Sequence, residues 1–293
     1  MTLKPSIVVL GSSGQLGNEI ANDDLLESNF TLNIFNKDEC DITDFQKVKE
    51  LIRAKKPKYV INCAAYTNVD KAESEKRKAN LINNISVSNL AKVCEKFDVT
   101  LIHFSTDYVF SGVRNKPIKE ENPKNPINYY GYTKHLGEEE IFKHCKKFFL
   151  FRISWVYSSN GNNFPNKIIS LLENKKNIRV VDDQVGSPTP TSLISSAIGK
   201  ILLSDECNKK FGVYHLSPDN FCSWFDIAKK IHCFAKDDEA EIIPVSSKEF
   251  KTDALRPSYS CLNNEHFKKT FKIHLKDWNF YMDKFLKRKY VRS

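Results

Sequence analysis

Tyr130 and Lys134 stand four residues apart in Tyr130-Gly131-Tyr132-Thr133-Lys134, a spacing that puts both on one face of a helix. A phenol held there can protonate a carbonyl oxygen as it is reduced. A free phenol titrates near 10, so bringing it to neutrality takes about 4 kcal/mol of differential stabilisation. A neighbouring ammonium is the kind of charge that supplies it. This pairing arises about once by chance in a chain so rich in lysine, so it needs support from elsewhere. Support comes from Ser105-Thr106-Asp107-Tyr108 at the end of an apolar run, the end of a strand where open α/β sheets place their ligands. The Thr106 hydroxyl can bond the oxygen that Tyr130 protonates, with Asp107 and Tyr108 beside it; the plainer alternative is a helix cap.

A second constellation opens the chain. The apolar run 7–10 passes directly into Gly11-Ser12-Ser13-Gly14-Gln15-Leu16-Gly17. Glycines between a strand and a helix allow a tight turn and let backbone N–H groups approach a pyrophosphate. Gly11, Ser13, Gly14, Gln15, Leu16 and Gly17 are therefore candidate cofactor contacts, although a glycine triplet also serves as an ordinary strand-to-helix turn. The next strand ends in Asn36-Lys37, where a carboxylate would bond the ribose hydroxyls of NAD and repel a 2′-phosphate. Its replacement by Asn36 and Lys37 favours NADPH, with NADH left open. Asp41 and Ile42 lie where an adenine edge could be met.

These groups need a scaffold, and the first half of the chain alternates β-branched runs with longer helical stretches, the pattern of βαβ units. Strands are expected at 7–10, 31–35, 59–64, 100–104 and 148–152, and helices after the glycine loop and at 45–55, 73–97 and 129–146. Asp41 to Asp44 supplies turn and capping residues for the helix at 45–55, which Pro57 stops. After Trp155 the elements shorten and turn clusters multiply. The expected fold is a doubly wound parallel Rossmann sheet with a smaller C-terminal substrate-binding lobe. Residues 1–155 form the NADP-binding domain, and residues 156–293 form mainly the lobe, with segments returning to the sheet.

Composition narrows the classes. A chain of 293 residues that is 41% hydrophobic and 28% charged has the balance of a globular domain. The run at 7–10 is too short for a membrane span or a signal segment. Eight cysteines and seven histidines show no zinc-ligand spacing, so no metal is expected and the thiols read as reduced and cytoplasmic. The net charge of +9 is dispersed apart from the tail at 284–292. It suits capture of an anionic ligand and brings no nucleic-acid motif with it.

Further segments complete a pattern: Asn62-Cys63-Ala64-Ala65-Tyr66-Thr67-Asn68-Val69-Asp70, Ser154-Trp155-Val156-Tyr157, Gly161-Asn162-Asn163-Phe164, Asp183-Gln184-Val185-Gly186-Ser187-Pro188-Thr189 and Leu255-Arg256-Pro257. Together with the motifs above, in this order, the chain resembles the dTDP-4-dehydrorhamnose reductases of the extended short-chain dehydrogenase type. The resemblance implies NADPH-dependent reduction of the C4 keto group of a nucleotide-linked 6-deoxysugar. It assigns catalysis to Tyr130, Lys134 and Thr106, and cofactor contacts to the glycine loop, to Asn62 to Ala65 with Tyr66 adjoining, and to Tyr130 and Lys134 themselves. It places Trp155, Asn162, Asn163 and Arg256 in the sugar-nucleotide pocket. Some members hold Mg²⁺ through glutamates at a dimer contact. Glu19 is retained here, but the later position reads Pro190-Thr191-Ser192, so metal-dependent pairing is not expected and a homodimer stays open. A cysteine used by related epimerases is replaced by Asp107, which speaks against epimerisation. Two alternatives stand beside this reading: a reductase of another 4-keto-6-deoxysugar, and a partner-binding subunit like the regulatory subunit of methionine adenosyltransferase.

Overall fold

Side chains along a strand point alternately to opposite faces, and the first strand, β1 (Ser6–Leu10), uses this to build two layers. Ile7 and Val9 join Leu16, Ile20, Ile194 and Ile198 in one core. Val8 and Leu10 join Val48, Ile52, Leu90 and Ile141 in another, on the opposite face of the sheet. The computed structural model of the protein describes residues 4–113, 116–174, 176–236 and 239–290. Within them β1 is flanked by β2 (Thr31–Phe35) and β3 (Tyr59–Asn62), followed outward by β4 (Thr100–Thr106), β5 (Phe148–Ile153) and the strand Gly212–His215. All five pairings are parallel. The order reverses between β1 and β3, which makes their carboxyl ends the switch point where such sheets bind ligands.

The C-terminal half contributes to both parts of the molecule. The helix Thr191–Leu203 lies on the sheet with Leu193, Ile194, Ala197, Ile198 and Ile201 buried. A separate core gathers around Tyr157, Ile168, Ile178, Ile227, Trp278 and Phe285, and nearby Asn177–Val181 pairs in parallel with Glu241–Val245.

Four expected elements differ from the sequence reading by two residues or more. The fourth strand, expected at 100–104, runs on to Thr106, and the helix expected at 129–146 ends at His144. The third strand ends at Asn62 rather than at residue 64, because Asn62 turns its side chain inward to accept the Ala64 N–H at 3.1 Å. The long helix expected at 73–97 is broken into Val69–Ser74, Lys76–Asn80, a π-helical turn Leu81–Ile85 and Ser86–Lys96. Asn83, within the π turn, is buried and spends its amide outside the helix: it accepts from the Tyr66 N–H (2.9 Å) and donates to the Tyr66 carbonyl (3.0 Å) and the Thr133 hydroxyl (3.1 Å). π turns commonly mark such functional sites.

No helix among the described residues is long and apolar enough to cross a membrane. Residues 291–293 of the basic tail lie outside the described residues, and 284–290 belong to the helix Trp278–Tyr290.

Candidate active site

The glycine loop sits at the switch point because nothing larger fits. Gly11 has φ +82°, and a Cβ there would lie 2.6 Å from the Ala64 nitrogen beyond β3. A Cβ on Gly17 would lie 2.2 Å from the Gly11 oxygen, which lets the helix α1 (Gln15–Ala21) pack against the loop. Its N-cap, Gly14, offers no side-chain cap and gives its own N–H to the Gly11 carbonyl at 3.2 Å; the first-turn N–H groups of a helix that lacks such a cap are the ones an anionic ligand can satisfy. Gln15 faces the lobe instead: its carbonyl oxygen accepts from Ser158 (2.9 Å) and from Asn163 (2.8 Å).

At the adenosine end, Asn36 is a turn former, accepting from the N–H groups of Asp38 (2.8 Å) and Glu39 (3.0 Å). Lys37 is 70% exposed and only loosely paired with Asp41 at 3.7 Å, so its ammonium is free to meet a phosphate. Burial pushes the Asp41 carboxyl up, but the Thr43 N–H and hydroxyl outweigh it and hold the group low. Ile42 is buried among Cys40, Val48 and Ile52. Ala64, Ala65 and Tyr66 lead away from β3, with Tyr66 anchored by Asn83 through its backbone.

The catalytic candidates come from β4 and the helix Tyr129–His144, which starts on the Asn128 cap (Gly131 N–H to Asn128 Oδ1, 2.8 Å). Gly131 is required there, since a Cβ would lie 2.1 Å from the Tyr108 carbonyl oxygen. The close approach brings the Tyr130 phenol to the Thr106 hydroxyl and sets its ring edge-on to Tyr108, centroids 6.0 Å apart. Burial pushes the Tyr130 phenol above its ordinary value; the Thr106 hydrogen bond draws it down and the Asp107 carboxylate pushes it up. The phenol is therefore protonated, the form a general acid needs. Thr106 donates its proton to Asp107 (2.9 Å) and accepts the Tyr108 N–H (3.2 Å). Asp107 also accepts from Ser154 (3.1 Å), and burial raises it to about 6.

Lys134 shares the face of Tyr130, yet its nitrogen is turned to β4. It donates to the Phe104 carbonyl at 2.7 Å and lies 3.2 Å from His103 Nε2. The Asn62 amide nitrogen lies 3.1 Å from His103 Nδ1. Burial lowers Lys134 to about 8, against the pull of Glu138. His103 and Asn83 carry no sequence signal beyond a polar residue in an apolar run, and their roles depend on distant chain segments; Asn128 was missed although an Asn just ahead of a helix is a local cap signal.

The substrate candidates are divided. Arg256 forms a two-toothed pair with Asp70 (2.6 and 3.0 Å) and a hydrogen bond with Tyr108. Asp70 and Arg256 line a cleft of about 900 Å³ shared with Lys167, Arg179, Lys248 and Lys251. Trp155, at φ +47°, stacks on Trp224 at 3.5 Å and 8°, and Trp224 reaches the same cleft. Asn163 is spent capping the helix Phe164–Leu172 and bonding Gln15, while Asn162 is exposed.

Glu19 accepts from Thr191 at 2.8 Å in a cavity it shares with Lys200, Lys284 and Arg288. One carboxylate among three cations does not fit Mg²⁺, and no group of three potential ligands occurs among the described residues.

Comparison with known proteins follows the same geometry. The family described as the RmlD substrate binding domain matches residues 5–291. The dTDP-4-dehydrorhamnose reductase of Salmonella typhimurium is 34% identical over 283 residues, covering 93% of this chain and 94% of that protein. The spore coat polysaccharide biosynthesis protein SpsK of Bacillus subtilis is 35% identical, covering 88% and 89%. The crystal structure of the Bacillus anthracis dTDP-4-dehydrorhamnose reductase in complex with NADP superposes with a TM-score of 0.92 at 34% identity, covering 99% of this chain and 100% of that one. With a shared fold over nearly its whole length, the chain belongs to the dTDP-4-dehydrorhamnose reductase family.

Proposed function

We propose that this chain reduces the C4 keto group of dTDP-4-dehydro-6-deoxy-L-mannose to give dTDP-L-rhamnose, with NADPH as reductant. The reading rests on the Tyr130 phenol beside Thr106 at the carboxyl end of β4, with Lys134 bonded to Phe104 and close to His103 of the same strand, and on a glycine loop at the switch point. The loop fits a dinucleotide: Gly11 and Gly17 leave no room for a Cβ and let the turn and the helix close up where a pyrophosphate would lie, and the exposed Lys37 stands where a 2′-phosphate would need a cation. Bound NADPH supplies the hydride.

The chain's own residues do the rest. Tyr130 gives its phenolic proton to the C4 oxygen as that oxygen gains charge. Thr106, whose proton rests on Asp107 in the free chain, turns that proton to the carbonyl oxygen when substrate binds and holds the oxygen beside the phenol. Lys134 supplies the neighbouring cation that eases loss of the phenolic proton, and it would hold the nicotinamide ribose of the bound cofactor. In the cleft, Lys167, Lys248, Lys251 and Arg256 attract the diphosphate, and Trp224, backed by Trp155, offers an aromatic wall. We place residues 1–155 in the cofactor domain and the core around Tyr157, Ile227 and Phe285 in the substrate lobe. Eight free thiols accord with a reducing, cytoplasmic setting.

Loss of NADPH absorbance with enzymatically made dTDP-4-dehydro-L-rhamnose, followed by NMR of the product, tests the reading. Tyr130→Phe is expected to reduce kcat by about two to four orders of magnitude. Near-normal turnover by that variant would remove the acid assignment.

A further inference from the structure

Lys134 is 2% exposed, His103 1% and Asn62 1%, and the three form a chain whose donors and acceptors can be assigned. The Asn62 carbonyl oxygen accepts the Ala64 N–H at 3.1 Å, so the amide nitrogen is the end that meets His103 Nδ1, also at 3.1 Å. An amide nitrogen only donates, and Nδ1 must therefore accept. A neutral imidazole then carries its proton on Nε2, which lies 3.2 Å from the Lys134 nitrogen. An amine has a lone pair to receive that N–H and hydrogens left for the Phe104 carbonyl; an ammonium has no lone pair and would set N–H against N–H.

We infer that Asn62 and His103 are positioning residues that fix the imidazole tautomer against a charged Lys134, so that the free enzyme disfavours the ammonium and cofactor binding draws a proton from solvent onto this nitrogen. The inference rests on the proposed placement of Lys134 beside the cofactor. A dinucleotide brings phosphate charge and hydroxyl acceptors, and both favour the ammonium.

The other groups around Lys134 do not reverse this. Glu138, one turn along the same helix, is held by Arg152 through bonds of 2.9 and 2.7 Å. The Tyr130 phenol on the same helix is neutral, and so is the Cys63 thiol that follows Asn62, which burial pushes up. Asp107, beyond Tyr130, is shared by Thr106 and Ser154. His103 itself is kept uncharged, first by burial and then by Lys134.

The test is a ¹³Cε-lysine NMR titration of the full chain, with the Lys134 resonance assigned by its loss in Lys134→Met. It is paired with calorimetry of NADPH binding in two buffers of different ionisation enthalpy. The free enzyme is expected to show a Lys134 midpoint of about 8, and binding near pH 9 to take up a substantial fraction of ~1 proton, fading towards pH 6. Asn62→Asp accepts from both Ala64 and His103, moving the imidazole proton to Nδ1. His103→Gln offers the lysine a neutral carbonyl. Both are expected to raise the proton affinity of Lys134 by about tenfold or more and to reduce the uptake.

A wild-type midpoint near that of free lysine would overturn the inference. So would a shift in Asn62→Asp alone, which would be a simple charge effect, and so would binding without proton uptake. Absence of any binding heat would count against the cofactor reading instead, while the titration of the free chain still decides the tautomer.

Discussion

Two buried histidines stand on the strands that flank β5, each against a basic side chain, and they are wired in opposite senses. His215 Nδ1 lies 3.0 Å from the Ile118 carbonyl, which can only accept, so the ring proton is on Nδ1 and the bare Nε2 receives Arg152 Nη1 at 3.4 Å. His103 Nδ1 meets an amide donor, so its proton is on Nε2 and faces Lys134. Arg152 is further neutralised by the bidentate Glu138 carboxylate, both partners fully buried. Lys134 bonds a carbonyl and an imidazole, with its near carboxylate already taken. The same ring at the same depth thus serves a permanent cation at one site and a titratable one at the other. What touches the far nitrogen decides whether the ring offers its basic neighbour a lone pair or an N–H.

The sharpest way to break the contrast is Lys134→Met. Turnover is expected to fall by about two to four orders of magnitude with the fold retained, read by steady-state rates beside a circular-dichroism melt. Ordinary turnover would make this site as structural as its neighbour. Arg152→Met should do the reverse. It strands the Glu138 carboxylate in the interior at a cost of about 3–5 kcal/mol, measured by urea unfolding, and adding Glu138→Leu should recover most of that loss.

Acid and base sharpen the comparison. Lys134 is lowered by burial to about 8, so between that value and the ordinary lysine range the unfolded chain binds more protons than the folded one, and stability rises with pH. The stability of wild type relative to Lys134→Met should therefore rise by up to about 3 kcal/mol across that window, whereas Arg152 contributes no such slope. The smallest effect is expected from Asp107, raised by burial to about 6. Between the ordinary aspartate range and about 6 the folded chain binds more protons than the unfolded one, so stability falls as pH rises. Asp107→Asn should flatten that fall by about 1–3 kcal/mol, followed by urea unfolding at a series of pH values.

Much of this was legible in the sequence. β2 and the helix Phe45–Lys55 occur where alternation and the Asp44 cap placed them, because local signals decide both. The glycine loop and the Tyr130–Lys134 spacing were readable for the same reason: each is a short-range pattern. His103 was not, since in Thr100-Leu101-Ile102-His103-Phe104 it sits in a run otherwise typical of a buried strand. Its meaning lies 31 residues away at Lys134 and 41 away at Asn62. Asn163 shows the converse: its place in a pocket motif is legible, whereas its bonds to Gln15 and to the helix it caps depend on how the lobe docks. The long helix misled because apolar periodicity does not register one additional residue in a turn.

That additional residue makes Leu81–Ile85 a length standard. A straight helix advances about 100° per residue, and the wider turn takes up its extra residue as a bulge that leaves the flanks in register, so deleting one residue would restore regular winding and draw that bulge back in. Asn83 would leave the Tyr66 backbone, and its carbonyl would leave the place where Gly137 admits it. Side chains on the outer face of this segment can vary freely, but its residue count cannot.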